Sequence, residues 1–209
     1  MRHGVTAWNR ERRFQGQLDT PLDEQGFEQA RRTGRRLAEW PLAAVYTSDL
    51  LRARQTAEAI AAPHGLALQV EPRLRERHYG RFEGRTYDEI ERIDPQGYAR
   101  WRAREPSFAL PGGGETLRSL YERVEAALRD LALRHEGETV AVVTHGGVLD
   151  CAFRMATGLG IEAPRTHELL NASLNRIAWR EGSFALLEWA DAAHLAQALD
   201  DAAQARGHP

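Results

Sequence analysis

The stretch of sequence that decides the fold is Thr139-Val140-Ala141-Val142-Val143-Thr144, which is followed by His145-Gly146-Gly147. Its apolar, β-branched residues lie between glycines and predict a buried strand. A histidine directly after such a strand should emerge at the carboxyl end of a sheet, where α/β proteins bind ligands. The two glycines would let a ligand approach the backbone and would open a helix running to about Thr157. On position alone, His145 is equally well explained as a buried core histidine.

Short apolar strands alternate with helices along the rest of the chain. The predicted elements are a helix after the N-cap Asp23, a strand at 43–47, a helix capped by Ser48 and ending near Ala62, a long helix after Gly114, a hairpin of 173–179 and 184–189, and a fraying C-terminal helix. The long helix carries the apolar stripe Leu117, Leu120, Val124, Leu128 and Leu131. This order predicts an α/β fold with three layers, in which helices cover both faces of a mostly parallel central sheet.

Composition excludes several classes of function. The 209 residues suit one domain, and a net charge of −2 argues against nucleic-acid binding. All 28 basic residues are arginine, so a P-loop lysine or a Schiff-base lysine is impossible. The single cysteine, Cys151, rules out an intrachain disulfide, and no zinc-type spacing of histidines occurs. No signal peptide or membrane-spanning run is recognisable, and a cytoplasmic location is expected.

A second histidine lies beside a glycine near the start of the chain, in Arg2-His3-Gly4. Asn9 and the Gln15-Gly16 loop follow it and offer amide donors. Further polar motifs are SDLLRARQTA at 48–57, ERHYGRFEG at 76–84, PGGGE at 111–115 and THGG at 144–147. With these motifs in this order, the chain resembles the histidine phosphatase superfamily, also called the phosphoglycerate mutase-like family, over nearly its whole length.

The resemblance implies a role for each matching residue. His3 would be the nucleophile and form a phosphohistidine, while Arg2, Arg52 and His145 would hold the phosphoryl oxygens. Glu76 would protonate the leaving alcohol and then activate the water. The remaining phosphate- or substrate-binding residues would be Asn9, Gln15, Gly16, Gly146 and Tyr79, although a structural role for Tyr79 is equally open. Because phosphoryl transfer depends on positioning and charge stabilisation, these cationic donors could act without a metal or another cofactor.

Protonation adds a condition at each of three side chains. His3 has to be neutral to attack, and the nearby arginines favour that form by repulsion. His145 could act as a cation or as a neutral N–H donor. Glu76 has to carry a proton when the alcohol leaves.

The resemblance leaves three functions open, which are a phosphatase acting on a small phosphorylated metabolite, a cofactor-dependent phosphoglycerate mutase and a non-catalytic phosphoester-binding module. Mutases of the family carry a longer lid with a lysine, whereas here residues 83–111 form a short, helical lid or substrate segment within a single domain of residues 1–209. Gly147 also favours a phosphatase, although Glu76–Gly80 is mutase-like. A homodimer is a modest expectation from the family.

The family's histidine loop follows a central strand, yet only Met1 precedes Arg2 in this sequence. Either the numbered chain lacks its natural start or the protein has lost a middle strand. We favour a mis-chosen start or a truncation, because a missing central strand would leave backbone groups of two strands unpaired in the core.

Overall fold

The structure, a computed structural model, describes residues 1–196. Within this range the chain forms α1 (Ala7–Arg10), α2 (Glu24–Leu37), β1 (Leu42–Thr47), α3 (Leu51–Ala61), β2 (Leu68–Val70), α4 (Tyr87–Ile93), α5 (Pro95–Arg102), α6 (Leu117–Arg134), β3 (Thr139–Val143), α7 (Gly146–Thr157), β4 (Leu174–Arg180) and β5 (Ser183–Asp191). None of the helices described has the length and hydropathy needed to span a bilayer. The expected C-terminal helix lies outside the described residues.

The central sheet has the strand order β2-β1-β3, and its strands are parallel. Because side chains alternate along a strand, Tyr46 of β1 packs with α6 and α7 on one face, whereas Val45 packs with α3 on the other. Helices therefore cover both faces, which confirms the predicted α/β fold with a parallel central sheet. The late hairpin is also confirmed, since β4 and β5 pair antiparallel.

Two helix starts differ in how well the sequence predicted them. Asp23 caps α2 as predicted, since its Oδ1 accepts a hydrogen bond of 2.8 Å from the Gly26 N–H. The predicted cap of α3 by Ser48 is wrong, because α3 begins only after Leu50, which offers no side-chain cap. Instead, Asp19 Oδ1 accepts from the Leu51 N–H at 2.6 Å. Ser48 is thereby left free for the histidine at the end of β3.

The first three residues lie along the carboxyl end of β3. The Met1 amino group donates to Val142 O at 2.7 Å, and Thr144 N–H donates to Met1 O at 2.9 Å. Arg2 and Thr144 form an isolated parallel bridge. No full strand precedes Arg2 in the described residues, and a cavity of about 1000 Å³ is lined by both β3 and β4. Within this part of the chain, β3 and β4 each have one edge without a strand partner. Both of these edges therefore border the same cleft.

The cavity generates a prediction about stability. Adding six residues of alternating valine and threonine before Met1 should place a strand between β3 and β4. Burying each valine should stabilise the fold by about 1.5–3 kcal/mol. The extension should also remove the buried amino group of Met1, whose pKa burial lowers to about 5. Urea unfolding should show the gain, and a glycine-serine extension of equal length is the matched control. Equal midpoints for both extensions would contradict the prediction.

Candidate active site

Two imidazole rings meet where β3 ends. His145 follows β3 as the N-cap residue of α7, and His3 is held beside it because its N–H donates to Thr144 O at 2.9 Å. The ring centroids lie 5.3 Å apart with an angle of 55° between the planes. The two residues are only 2% and 0% exposed. The structure therefore brings together two histidines that lie far apart in the sequence.

The hydrogen bonds of His3 determine which ring nitrogen carries the proton. Its Nδ1 lies 2.7 Å from Gly4 O, and a carbonyl oxygen can only accept, so Nδ1 is the donor. Nε2 then keeps its lone pair. Burial first, and then the charges of Arg52 and Arg2, hold the pKa of His3 well below its usual 6.5. The ring is therefore neutral and nucleophilic at neutral pH.

Arg52 lies at the start of α3 and is fully buried. Its Nη2 donates to Gly16 O at 2.7 Å and its Nη1 donates to Leu18 O at 2.9 Å, which fixes the guanidinium against the 16–18 loop. Burial lowers the pKa of Arg52 to about 10, so the group still carries its charge at neutral pH. Arg2 is fixed in a similar way, because its Nη1 donates to Leu169 O at 2.6 Å.

Three buried nitrogens of this cluster have no hydrogen-bond partner among the described residues. They are Arg2 Nε, Arg52 Nε and His145 Nδ1. Buried donors in folded proteins are nearly always paired, so each orphan requires an explanation. Two of these nitrogens belong to cations, and the charges of both arginines reach the His145 ring. The arrangement is suited to an anion with several oxygen acceptors, such as a phosphoryl group.

Glu76 is the acidic residue of the cluster. Its Oε2 accepts a hydrogen bond of 3.0 Å from the Gly147 N–H, and its Oε1 accepts one of 2.7 Å from the Arg77 N–H. A Cβ atom on Gly147 would lie 2.3 Å from Glu76 Oε1, so only glycine permits this approach. We expected the N–H groups that open α7 to face a ligand, but the Gly147 N–H instead holds Glu76. A Cβ on Gly146 would lie 3.7 Å from Arg2 Nε and 3.8 Å from Glu76 Oε2, which places the two side chains beside the same backbone position.

His145 is oriented by Ser48, the residue that was wrongly predicted to cap α3. Ser48 Oγ lies 2.7 Å from His145 Nε2. Burial, and then the charge of Arg52, hold the pKa of His145 well below 6.5, so the ring is neutral. If the serine hydroxyl donates to Nε2, the proton resides on Nδ1, the nitrogen without a partner. Of the two forms considered from the sequence, the neutral N–H donor fits this environment.

The other predicted binding residues lie around the cluster but are partly engaged elsewhere. Asn9 Oδ1 accepts from the Thr6 N–H at 3.0 Å, and Gln15 Oε1 accepts from Thr6 Oγ1 at 3.0 Å. Gly16 has φ +52, and a Cβ there would lie 2.0 Å from a Glu83 carboxylate oxygen. Tyr79 packs against Phe14 with ring centroids 5.0 Å apart. Burial, and then the charge of Glu76, raise the pKa of Tyr79. Tyr79 remains neutral in this environment.

Several residues that support the site were not foreseen. Asn171 Nδ2 donates to His3 O at 2.9 Å, and Thr56 Oγ1 accepts from the Gly4 N–H at 3.0 Å. Arg123 Nη2 donates to the carbonyl oxygen of Glu76 at 3.1 Å. Thr56 lies inside a quoted motif and could have been singled out there. Asn171 and Leu169 lie in a loop without any recognisable pattern.

Comparison with known proteins identifies the family that this chain resembles. The profile of the histidine phosphatase superfamily (branch 1) matches residues 1–192. Among curated relatives, "Metal-independent phosphoserine phosphatase" and "Phosphoglycerate mutase-like protein 4", both from Arabidopsis thaliana, are each 39% identical over 198 residues. The matches cover 93% of this chain and 81% and 85% of those proteins, respectively. Among solved structures, Bacillus stearothermophilus YhfR superposes with a TM-score of 0.85 at 37% identity, over 93% of this chain and 96% of that one.

The two buried histidines make stability depend on pH. Their pKa values lie below 6.5 in the folded chain, so the unfolded chain binds more protons once the pH falls below that value. The free energy of unfolding should then fall by up to about 1.4 kcal/mol per pH unit for each histidine. Urea titrations from about pH 7 to about pH 5 should show this loss, and His3→Asn should make the slope shallower. An unchanged slope in the variant would mean that His3 is not neutral in the folded protein.

Proposed function

This chain belongs to the histidine phosphatase superfamily, branch 1, and we propose that it hydrolyses a small phosphorylated metabolite through a phosphohistidine formed on His3. The chain is an enzyme of the phosphatase type, in keeping with its family and with a relative named as a phosphatase. The observation that carries the mechanism is the group of buried, unpartnered donors on Arg2, Arg52 and His145 beside a neutral His3.

In the first half of the reaction, His3 Nε2 attacks the phosphorus as the bond from phosphorus to the alcohol oxygen breaks. The leaving oxygen takes a proton from the Glu76 carboxyl group. The Nδ1–H of His3 stays bonded to Gly4 O, which stabilises the positive charge that develops on the ring. The products of this step are the free alcohol, the phosphohistidine and an ionised Glu76.

In the second half, water attacks the phosphorus from the side that the alcohol has left. Glu76 accepts the proton of that water, the bond from phosphorus to Nε2 breaks, and inorganic phosphate is released. Neutral His3 and protonated Glu76 are thereby regenerated, so no other reactant is consumed. One carboxyl group serves both halves because the alcohol and the water occupy the same side of the phosphoryl group.

The charge on the three equatorial oxygens is stabilised by fixed donors. Arg2 and Arg52 are each anchored to backbone carbonyls by their Nη atoms, so their Nε–H groups need little reorganisation to reach a phosphoryl oxygen. His145 contributes its Nδ1–H. Asn9, Gln15, Gly16, Gly146 and Tyr79 are assigned to the walls around the phosphate and the alcohol.

The remaining assignments concern the boundaries of the site. Residues 1–209 are proposed as a single domain, with residues 83–111, here called the lid segment, above the pocket. In support, Tyr87 and Trp101 of this segment pack on Phe14 with ring centroids 4.7 Å and 4.9 Å away. A homodimer is proposed from the family alone.

A phosphoglycerate mutase is the second candidate function, since several relatives carry mutase or mutase-like names and Glu76–Gly80 resembles the mutase motif. The short lid segment and the Gly146-Gly147 pair favour a phosphatase. A mutase has to protect its phosphohistidine from water, which the absence of a longer lid makes difficult. Following 3-phosphoglycerate for both phosphate release and isomerisation separates the two activities.

Replacing the nucleophile gives the central test. His3→Ala should abolish phosphate release from p-nitrophenyl phosphate and from a panel of phosphorylated metabolites. It should also abolish the acid-labile, phosphorylated protein that a rapid quench traps in the unsubstituted chain. EDTA should leave the rate unchanged, because arginine and histidine supply the positive charge. Binding of inorganic phosphate without turnover by the unsubstituted chain would instead support a binding module.

The acid role of Glu76 predicts a dependence on the leaving group. Glu76→Gln should slow hydrolysis of an alkyl phosphate by about 10²–10⁴-fold, because its alkoxide needs a proton as it leaves. The loss should be much smaller with p-nitrophenyl phosphate, whose phenolate leaves unaided. Single-turnover rates with both compounds measure the difference. An equal loss with both would assign Glu76 to binding rather than to proton transfer.

A further inference from the structure

Asp150 is a buried carboxylate that the proposed mechanism does not use. Its side chain is 6% exposed and is surrounded by three basic groups. Its Oδ2 lies 2.6 Å from Arg104 Nη2 and 3.1 Å from Arg154 Nε, and its Oδ1 lies 3.2 Å from His167 Nε2. Despite burial, hydrogen bonding to Arg154 and the charge of Arg104 hold the pKa of Asp150 below its usual value, so the group is ionised.

The groups around Asp150 come from three separate parts of the chain. Arg154 lies one turn further along α7, Arg104 follows α5 in the lid segment, and His167 lies in the loop of residues 158–173, here called the α7–β4 loop. Arg104 Nε also donates to Ile161 O at 3.1 Å, so its guanidinium contacts both α7 and the loop. Arg154 Nη1 donates to Gly160 O. Asp150 therefore joins the lid segment, α7 and the α7–β4 loop at one point.

The same α7–β4 loop holds the proposed phosphate site. Leu169 O accepts from Arg2 Nη1 at 2.6 Å, and Asn171 Nδ2 donates to His3 O at 2.9 Å. The residues of the loop that anchor Arg2 and His3 are therefore separate from Ile161, which Arg104 contacts.

The backbone at Arg104 gives an independent reason to look for a role beyond packing. Its φ is +58, in the left-handed region that glycine and asparagine adopt most readily. A long side chain is retained there at a cost in backbone energy. Buried ion pairs also contribute little to stability compared with well-packed apolar groups. Because their charged groups bond in defined directions, they instead fix the relative position of the segments they join.

We propose that Arg104 and Asp150 are a positioning pair that latches the lid segment to α7, beside the start of the α7–β4 loop, and so sets the space for the leaving group above His3. This inference rests on the proposed function, because it assigns the lid segment to that reaction. The pair touches no reacting atom. It acts on how the alcohol part of the substrate is held, while the phosphate pocket keeps its own anchors.

The test removes the latch from the lid side. Arg104→Asn suits a positive φ and leaves Asp150 paired with Arg154. With p-nitrophenyl phosphate, whose ring fills the space beneath the lid segment, KM should rise by about tenfold or more. The inhibition constant of inorganic phosphate, which reports only the phosphate pocket, should stay within about twofold. Arg104→Lys should raise KM less than Arg104→Asn does, because lysine keeps the positive charge but lacks the planar guanidinium group.

The matched control lies in the same segment. Glu105→Gln breaks the ion pair between Glu105 and Arg100, whose two side chains are 41% and 51% exposed, respectively. This variant should keep both constants unchanged. Trypsin should cut after Arg100 and Arg102 several times faster in Arg104→Asn than in the control, a readout that needs no activity.

The alternative outcomes overturn the inference in distinguishable ways. If KM and the rate of trypsin cleavage are both unchanged in Arg104→Asn, the Arg104–Asp150 pair has only a packing role. A parallel rise in KM and in the phosphate inhibition constant would show general damage to the pocket. Loss of folding in Arg104→Asn, together with unaltered kinetic constants in Arg104→Lys, would show the same. Failure of the proposed function has another signature, since His3→Ala would then retain the activity of the unsubstituted chain.

Discussion

The structure depends on keeping two guanidinium groups and two imidazoles together in a buried space beside Glu76. Like charges repel strongly where water is excluded, so the cluster has to be held by something other than mutual attraction. Backbone carbonyls supply that support. Arg52 is held by Gly16 O and Leu18 O, and Arg2 by Leu169 O. Because both histidines are neutral, they add no further positive charge to the cluster.

The parallel sheet explains why these groups converge. Ser48 follows β1 and His145 follows β3, so both emerge at the same edge of the sheet. The Arg2–Thr144 bridge adds His3 to that edge. Each group is local to the end of a strand, whereas the site as a whole joins parts of the chain more than a hundred residues apart. Such an arrangement needs the sheet to be formed before the chemistry is assembled.

The parts of the fold and of the site that could be predicted from the sequence are those that leave a pattern in residue type. The strand at Thr139–Val143 and the stripe on α6 were readable because burial imposes periodicity on apolar residues. The cap by Ser48 was misread, since a serine before a helix looks like a cap whether or not its hydroxyl is needed by a distant histidine. Asn171 and Leu169 were not found because they act on backbone atoms or through their own backbone, which leaves no mark on residue type. The predicted site residues came from matching motifs.

The lysine-free composition is compatible with this site for a geometric reason. A guanidinium group presents donors on three nitrogens that point in different directions. Arg52 uses both Nη atoms to grip the 16–18 loop and still has Nε–H unpartnered. A lysine ammonium concentrates its donors on one flexible atom, so gripping the carbonyls would turn it away from an anion. Each arginine therefore ties a loop to the proposed phosphoryl site, which explains how loops without regular structure can hold a charged cluster in one geometry.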